Sequence, residues 1–142
     1  MNDNQAINFL LTDYCLALDE GRIDDCAALF KNAEFTFKGF PTAKGIEGVK
    51  GMFANLIIYE DGTPRTRHLL TNVRIDVADG ANAATSQGYL IVMQQVDEAP
   101  MQPIFSGHYV DEFEIIEGNW QFSRRNVLAP QFGDMSRHTR GL

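Results

Sequence analysis

The sequence is poor in positive charge and in long hydrophobic runs. Its 142 residues contain 12 Lys and Arg against 19 Asp and Glu, a formal net charge of −7. Phosphate backbones and anionic lipid surfaces repel such a protein, which argues against partners of either kind, nucleic acid or membrane. No apolar run is long enough to span a bilayer. The polar first residues lack the basic and apolar regions of a signal peptide, so we predict a cytoplasmic protein.

Motifs that bind metals or cofactors are also missing. The sequence has two cysteines, Cys15 and Cys26, and neither is grouped with histidine as a structural zinc site requires. We therefore expect reduced, buried thiols. Neither a glycine-rich phosphate loop nor a G-x-S-x-G elbow occurs. We predict no metal and no cofactor, which leaves acid–base chemistry by histidines and acidic residues.

Hydrophobic periodicity predicts helices in the first part of the chain and long strands in the second. Apolar residues at helical spacing predict a first helix that Asp3 or Asn4 caps and that ends near Gly21, a short second helix, and a third helix from Ile46. Alternating residues predict a short strand over 34–38. They also predict four long strands over residues 69–77, 85–96, 104–116 and 120–128.

This order of elements indicates an α+β fold with a mostly antiparallel sheet, because successive strands follow one another without intervening helices. Helices on one face of such a sheet can enclose a pocket. We predict a single domain over residues 1–142, with its core at about 6–128. Residues 129–142 form a tail or a lid, and a frayed terminus is the favoured interpretation.

Two residues are the main candidates for chemistry. His68 opens the first long strand, and Asp19 lies at the end of the first helix. A buried aspartate beside a histidine would hold one imidazole tautomer and raise the basicity of the ring. Spacing alone does not bring them together. The simpler alternatives are a packed strand histidine and a solvated acid at a helix end.

Other polar residues allow two interpretations each. His108 lies in the middle of a strand and faces either a pocket or the outside. His138 lies in a basic tail, where we expect a solvated side chain. Arg124 and Arg125 are adjacent on one strand and must face opposite sides. One of them could point inward and stabilise an anion, or an ion pair with the neighbouring strand could explain both. Alternation places Arg124 on the same face as Phe122 unless a β-bulge intervenes.

Four segments together resemble a known family. Residues 14–22, 28–30, 67–73 and 118–125, in their order and spacing, are similar to the SnoaL-like family of the nuclear-transport-factor-two-like superfamily. The resemblance covers about residues 6–128. It implies a cone: a strongly curved sheet wrapped around the N-terminal helix, with two further helices, enclosing an apolar cavity. It also implies a homo-oligomer, a dimer or trimer, that contacts its partners through the outer face of the sheet.

Within this superfamily, the chain resembles scytalone dehydratases and hexachlorocyclohexane dehydrochlorinases. Asp19 and His68 match a catalytic dyad in which histidine is the general base, and Arg125 aligns with a catalytic arginine of the last strand. The serine and asparagine of the dehydratase correspond to Gly107 and Tyr109 here, which argues against scytalone itself as the substrate. The further residues expected to bind the substrate are Tyr14, Phe53, Tyr89 and His108.

The resemblance therefore predicts a cofactor-free lyase, of the dehydratase or dehydrohalogenase type, or an isomerase, acting on a small hydrophobic cyclic molecule. A second hypothesis remains open. The non-catalytic small subunits of aromatic-ring dioxygenases share the fold and resemble residues 18–22, so the chain could be a ligand-binding or subunit-association module. His68 distinguishes the two hypotheses better than Asp19 does.

Overall fold

Three helices and six strands make up residues 1–141, the part of the chain that the computed structural model describes. Their bounds, in chain order, are α1 Asp3–Asp19, α2 Ile23–Ala28, β1 Glu34–Phe37, β2 Ala43–Lys44, α3 Gly45–Met52, β3 Thr66–Val77, β4 Ala83–Gln94, β5 Gln102–Ile116 and β6 Asn119–Phe132. The two-residue strand β2 is too short for alternation to predict. Within residues 1–141, none of the helices is both long and apolar enough to cross a bilayer.

The six strands form one open sheet in the order β2-β1-β6-β5-β4-β3. All neighbouring pairs are antiparallel except β1 and β6, which run parallel. The long strands β3 to β6 follow one another directly, as hairpins allow. Helix α1 packs against β3 and β6 on one face of this sheet. The predicted α+β fold, with a mostly antiparallel sheet around an N-terminal helix, is confirmed.

Helix α1 is capped by Asn2, one or two residues before the predicted caps Asp3 and Asn4, and the cap is a capping box. The side chain of Asn2 accepts a hydrogen bond from the Gln5 backbone N–H at 2.9 Å, and the Gln5 side chain accepts one from the Asn2 N–H at 3.0 Å. These bonds satisfy donors that have no partner inside the helix. The buried side of α1 faces the sheet and comprises Ile7, Leu11, Tyr14, Cys15, Ala17 and Leu18.

A glycine fixes the exit from α1. Gly21 has φ +74°, and a Cβ added there would lie 2.0 Å from the carbonyl oxygen of Gly62. Only glycine accommodates both the left-handed backbone and this close approach. The end of α1, including Asp19, is thereby held against the loop that leads into β3.

A β-bulge decides which arginine of β6 points inward. Glu112 of β5 pairs with Arg124, whereas Phe113 pairs with Phe122, so Ser123 is an extra residue in β6. The extra residue reverses the alternation of side chains beyond it. Phe122 and Arg125 are consequently both buried, and Arg124 is exposed. The expectation from simple alternation, that Arg124 faces inward, is wrong.

Aromatic side chains form the centre of the core between the helices and the sheet. The rings of Phe30 and Phe122 stack with centroids 4.8 Å apart, and Phe113 lies 4.9 Å from Phe122 on the other side. Phe35 contacts Phe30 at 5.3 Å. Full burial of each such ring contributes about 1.5–3 kcal/mol to stability. This packing fixes β1 and α2 against the strands that carry the candidate site.

The two cysteines lie on neighbouring helices with free thiols, as predicted. Cys15 of α1 and Cys26 of α2 are both buried. Burial raises the pKa of the Cys15 thiol to about 11 and that of Cys26 to about 12. Because the thiolate is the reactive form, both are inert core residues at neutral pH.

Residues 129–141 do not fray. Strand β6 continues to Phe132, beyond its predicted end, and the following segment, residues 133–141, folds back over the helical side of the sheet. We call residues 133–141 the C-terminal segment. Leu56 forms an isolated antiparallel bridge with Thr139, and the Gln94 side chain donates to the carbonyl of Arg137 at 3.0 Å. The favoured interpretation of a frayed terminus is therefore wrong for residues 129–141, and Leu142 lies outside the described residues.

Candidate functional site

Asp19 and His68 lie in direct contact where α1 meets β3. One carboxylate oxygen of Asp19 is 2.5 Å from Nδ1 of His68 and accepts a hydrogen bond from the Thr66 hydroxyl at 2.8 Å. The other oxygen accepts the backbone N–H of His68 at 2.9 Å. Thr66 and His68 can share this partner because alternate residues of a strand face the same side. A single carboxylate therefore fixes both the strand and the ring.

This geometry determines which nitrogen of the imidazole is available. An ionised carboxylate can only accept hydrogen bonds, so Nδ1 of His68 carries the proton that it donates to Asp19. In the neutral ring, Nε2 then has a free lone pair. The His68 side chain is 6% exposed and that of Asp19 is 17% exposed, so little water competes for this bond. The arrangement is that of a histidine base oriented by an acid.

His68 forms part of the wall of a cavity of about 890 Å³ between the helices and the concave face of the sheet. The aromatic and aliphatic residues of its lining include Tyr14, Leu18, Phe35, Phe37, Phe53, Leu56, Val92, Phe105 and Tyr109. A mostly apolar cavity with a few polar groups is typical of a small-molecule site. A smaller cavity of about 360 Å³, beside Asp76 and Glu112, contains none of the candidate residues.

Among residues 1–141, the polar side chains of this lining are neutral or positively charged. Lys44 and Arg140 contribute cations, and His68 and His138 contribute imidazoles. Within residues 1–141, no aspartate or glutamate lines the cavity. Asp19 contacts His68 from behind the wall. In a protein with a net charge of −7, such a lining favours electronegative ligands over cations.

Tyr14 forms the part of the cavity wall next to His68. Its ring lies edge-on to that of His68, with centroids 6.4 Å apart. Burial raises the pKa of Tyr14 well above its usual value, and the neighbouring Tyr109 adds to this, while Arg125 partly offsets it. Burial also raises the pKa of Tyr109. Both hydroxyls remain protonated at neutral pH and can donate hydrogen bonds.

Arg125 lies behind this tyrosine wall and does not line the cavity. Its side chain is fully buried, and Nε and Nη2 each donate to a carboxylate oxygen of Asp111 at 2.9 Å. The guanidinium also lies over the rings of Tyr14 and Tyr109, 4.3 and 4.7 Å from their centroids. Burial opposes the charge, but Asp111 outweighs burial and raises the pKa of Arg125. Arg125 is therefore the inward arginine of the two, but it is not among the residues that line the cavity, and its catalytic role stays a prediction.

Tyr89 and His108 lie on the outer face of the sheet and not in the cavity. They are cross-strand neighbours, with ring centroids 5.5 Å apart, and His108 is followed in the same row by Leu128 of β6. The inward positions of β4 belong to Leu90 and Val92, which are both buried. The expectation that Tyr89 and His108 bind the substrate is therefore wrong, because alternation along β4 and β5 turns both side chains outward. Of the four expected substrate-binding residues, the structure brings Tyr14 and Phe53 to the cavity.

The sequence analysis missed His138. We expected a solvated side chain, but His138 is 8% exposed and lines the cavity from the C-terminal segment. The Arg-His-Thr-Arg context gave no hydrophobic signal of burial. The backbone pairing of the segment with residues near Leu56, together with the hydrogen bond from Gln94 to the carbonyl of Arg137, holds this histidine inward. Within residues 1–141, no group of three or more metal-binding side chains occurs.

Comparison with known proteins gives one family and one set of characterised relatives. Residues 1–126 match the SnoaL-like domain family. The chain is 27% identical over 132 residues to the γ-hexachlorocyclohexane dehydrochlorinase of Sphingobium indicum, covering 89% of this chain and 80% of that enzyme.

Solved structures share the fold at lower sequence identity. An NTF2-like protein with a cystatin-like fold from Novosphingobium aromaticivorans superposes with a TM-score of 0.75 at 19% identity, over 89% of this chain and 80% of that one. A candidate scytalone dehydratase from the same organism gives a TM-score of 0.70 at 22% identity, over 93% and 88% of the two chains. These similarities establish the NTF2-like fold.

The pairing of Arg125 with Asp111 generates a test of stability. Arg125→Met leaves a buried carboxylate without its partner, and we expect a loss of about 3–5 kcal/mol in the free energy of unfolding, measured by urea denaturation. Arg125→Met combined with Asp111→Leu should recover much of this loss, because no unpaired charge remains. The control is Arg124→Met, which breaks exposed ion pairs and should cost less than about 1 kcal/mol. Equal losses for the two single arginine variants would contradict this interpretation.

Proposed function

Because the chain belongs to the SnoaL-like domain family, we propose that it is a cofactor-free lyase or isomerase acting on a small hydrophobic cyclic molecule. Asp19 and His68 form its catalytic dyad in this proposal. The observation that carries the proposal is the 2.5 Å contact between Nδ1 of His68 and Asp19 on the wall of a large apolar cavity. A general base needs this geometry before any other property.

In the proposed elimination, Nε2 of His68 removes a proton from a ring carbon. The electron pair of the broken C–H bond forms a C=C bond with the adjacent carbon. The leaving group departs from that carbon with its own bonding pair. It leaves either as chloride, after which the imidazolium of His68 releases its proton to solvent, or as water, formed when the imidazolium gives that proton to the departing hydroxyl. In an isomerisation, His68 would instead return the proton to another carbon. General base catalysis of this kind contributes about 10²–10⁴-fold to the rate.

Asp19 stabilises the charged ring that the proton transfer creates. The imidazolium of His68 would be costly in a site from which water is largely excluded, and the adjacent carboxylate offsets this cost. Thr66 and the His68 backbone hold the carboxylate from two further directions. The pair therefore does not have to reorganise during the reaction, which is the main requirement of electrostatic catalysis.

Arg125 is a positioning residue in this proposal. Its cation stacks on Tyr14, whose ring lies edge-on to His68 in the cavity wall. Because Asp111 neutralises the guanidinium, Arg125 acts by holding the ring of Tyr14 in place and not through a net charge. The protonated hydroxyl of Tyr14 can supply a hydrogen bond to negative charge that develops on a leaving group or an oxygen in the cavity.

The sequence relative supports an elimination. It is named a dehydrochlorinase of hexachlorocyclohexane, and its match covers 89% of this chain. Removal of hydrogen chloride from a ring needs a base and an apolar pocket, and the described residues supply both. The reaction requires no cofactor, because proton transfer and departure of the leaving group balance each other.

The cytoplasmic location of the protein stays a prediction.

The proposed dyad is tested by measuring how fast the protein and its variants convert a panel of cyclic compounds. The purified protein is incubated with γ-hexachlorocyclohexane, with cyclic β-hydroxyketones and with cyclic enones, while chloride release, loss of water and double-bond migration are followed. We expect His68→Ala and Asp19→Asn each to reduce turnover at least about 10²-fold. The double variant should be little slower than either single variant, because the two residues act as a unit. Asp13→Asn, an exposed acid on the same helix, is the matched control.

Two results would contradict the dyad. One is full activity of His68→Ala with the fold intact by circular dichroism. The other is a wild-type protein that binds members of the panel saturably and converts none of them. The second result would favour the ligand-binding or subunit-association module.

We also propose that the outer face of the sheet joins copies of this chain. Tyr89 and Leu128 lie in one row across β4 to β6, and they are 51% and 36% exposed. Leu69 of β3 adds a further apolar side chain, 47% exposed. Sedimentation velocity should give a dimer or trimer, and Leu128→Glu should shift it to the monomer. A monomeric wild type at micromolar concentration would refute this assembly.

A further inference from the structure

The C-terminal segment carries a histidine into the cavity on a fixed backbone. The carbonyl of His138 accepts the N–H of Ile57 at 2.9 Å, and the N–H of Arg140 donates to the carbonyl of Asn55 at 2.9 Å. The His138 N–H itself donates to the carbonyl of Met135 at 2.9 Å. These bonds involve only the main chain around His138. The backbone therefore places the imidazole without help from the side chain.

The imidazole of His138 has an unused polar atom. The residue is 92% buried, being 8% exposed, and it lines the cavity. Its Nδ1 is buried and has no hydrogen-bond partner among residues 1–141. A buried polar atom without a partner is unfavourable, and its retention needs a reason. Nδ1 itself is turned away from the cavity, but the ring lines the cavity wall, so a rotation of the imidazole would bring the unpaired nitrogen to a ligand.

Burial keeps the ring of His138 neutral at neutral pH. It lowers the pKa of His138 to about 4, and the neighbouring His68 adds to this, while Asp19 opposes it. A neutral imidazole has one N–H donor and one lone pair. It can therefore donate to a carbonyl or hydroxyl oxygen without bringing a charge into the cavity. It leaves the role of base to His68.

We propose that His138 is a second polar residue of the binding site and that it hydrogen-bonds an oxygen substituent, a carbonyl or a hydroxyl, of the cyclic ligand. The proposal rests on the function proposed above and narrows its substrate class to oxygenated rings. The apolar lining binds the ring, and His138 selects the rings that carry oxygen. A purely hydrocarbon ring would offer the imidazole no hydrogen-bond partner, which is the usual physical source of such selectivity.

The test compares two rings that differ in one oxygen. NMR titration gives the Kd of 1-indanone and of indane, which lacks the carbonyl, for the wild type, His138→Leu and His138→Gln. We expect His138→Leu to raise the Kd of 1-indanone about tenfold, the effect of losing one well-formed hydrogen bond. The Kd of indane should change by less than about twofold. His138→Gln, which keeps a side-chain donor, should restore part of the affinity for 1-indanone.

A second readout reports on the ring itself. The imidazole ¹⁵N resonances of His138 should shift on saturation with 1-indanone and stay in place with indane. A purely structural histidine would respond to both rings or to neither. Equal weakening of both rings in His138→Leu, unchanged binding of 1-indanone in that variant, or no binding of 1-indanone by the wild type would each overturn the proposal.

Neither measurement depends on turnover. The same titrations in the His68→Ala background should retain the selectivity of His138. If the dyad variants leave turnover unchanged but the selectivity of His138 is retained, the proposed lyase or isomerase mechanism is contradicted and the binding role of His138 is supported. If selectivity is absent but turnover depends on Asp19 and His68, the binding role of His138 is contradicted and the dyad is supported.

Discussion

The carboxylate of Asp19 joins the end of the first helix to the beginning of the first long strand, and the site depends on this connection. It accepts hydrogen bonds from the Thr66 hydroxyl, the His68 backbone and the His68 ring. Gly21 makes the connection possible, because its backbone comes too close to Gly62 for any side chain. The same interaction thus sets how α1 packs on the sheet and which nitrogen of His68 faces the cavity.

Periodicity predicted the elements that build this site, because long amphipathic segments have a pattern that packing seldom overrides. It failed where one residue changes the alternation. The bulge at Ser123 turns Arg125 inward and leaves Arg124 outside. The amino-acid sequence around Ser123 gives no signal that predicts a bulge. The resemblance to a family singled out Arg125, which the structure buries and pairs with Asp111 behind the cavity wall.

A second kind of error concerns whether a polar side chain faces the cavity or the solvent. Tyr89 and His108 are residue types that active sites use, yet alternation from the buried Leu90 turns both outward. His138 looked solvated, because its charged neighbours conceal a burial that main-chain bonds to residues 55–57 impose. Local sequence encodes local periodicity, whereas these placements depend on contacts between segments that are distant along the chain. The contact of Asp19 with His68 is of the same kind, and the resemblance alone linked them.

The central claim is that Asp19 fixes His68 as a base whose Nε2 is free towards an apolar cavity. The most direct measurement is the tautomer of His68, observed by ¹⁵N NMR of the imidazole in the resting, unliganded protein. The account predicts that, in the neutral ring, Nδ1 carries the proton and Nε2 does not, and that Asp19→Asn weakens this preference. A neutral His68 protonated at Nε2 in the wild type would contradict it, because that ring could not remove a proton from a ligand in the cavity.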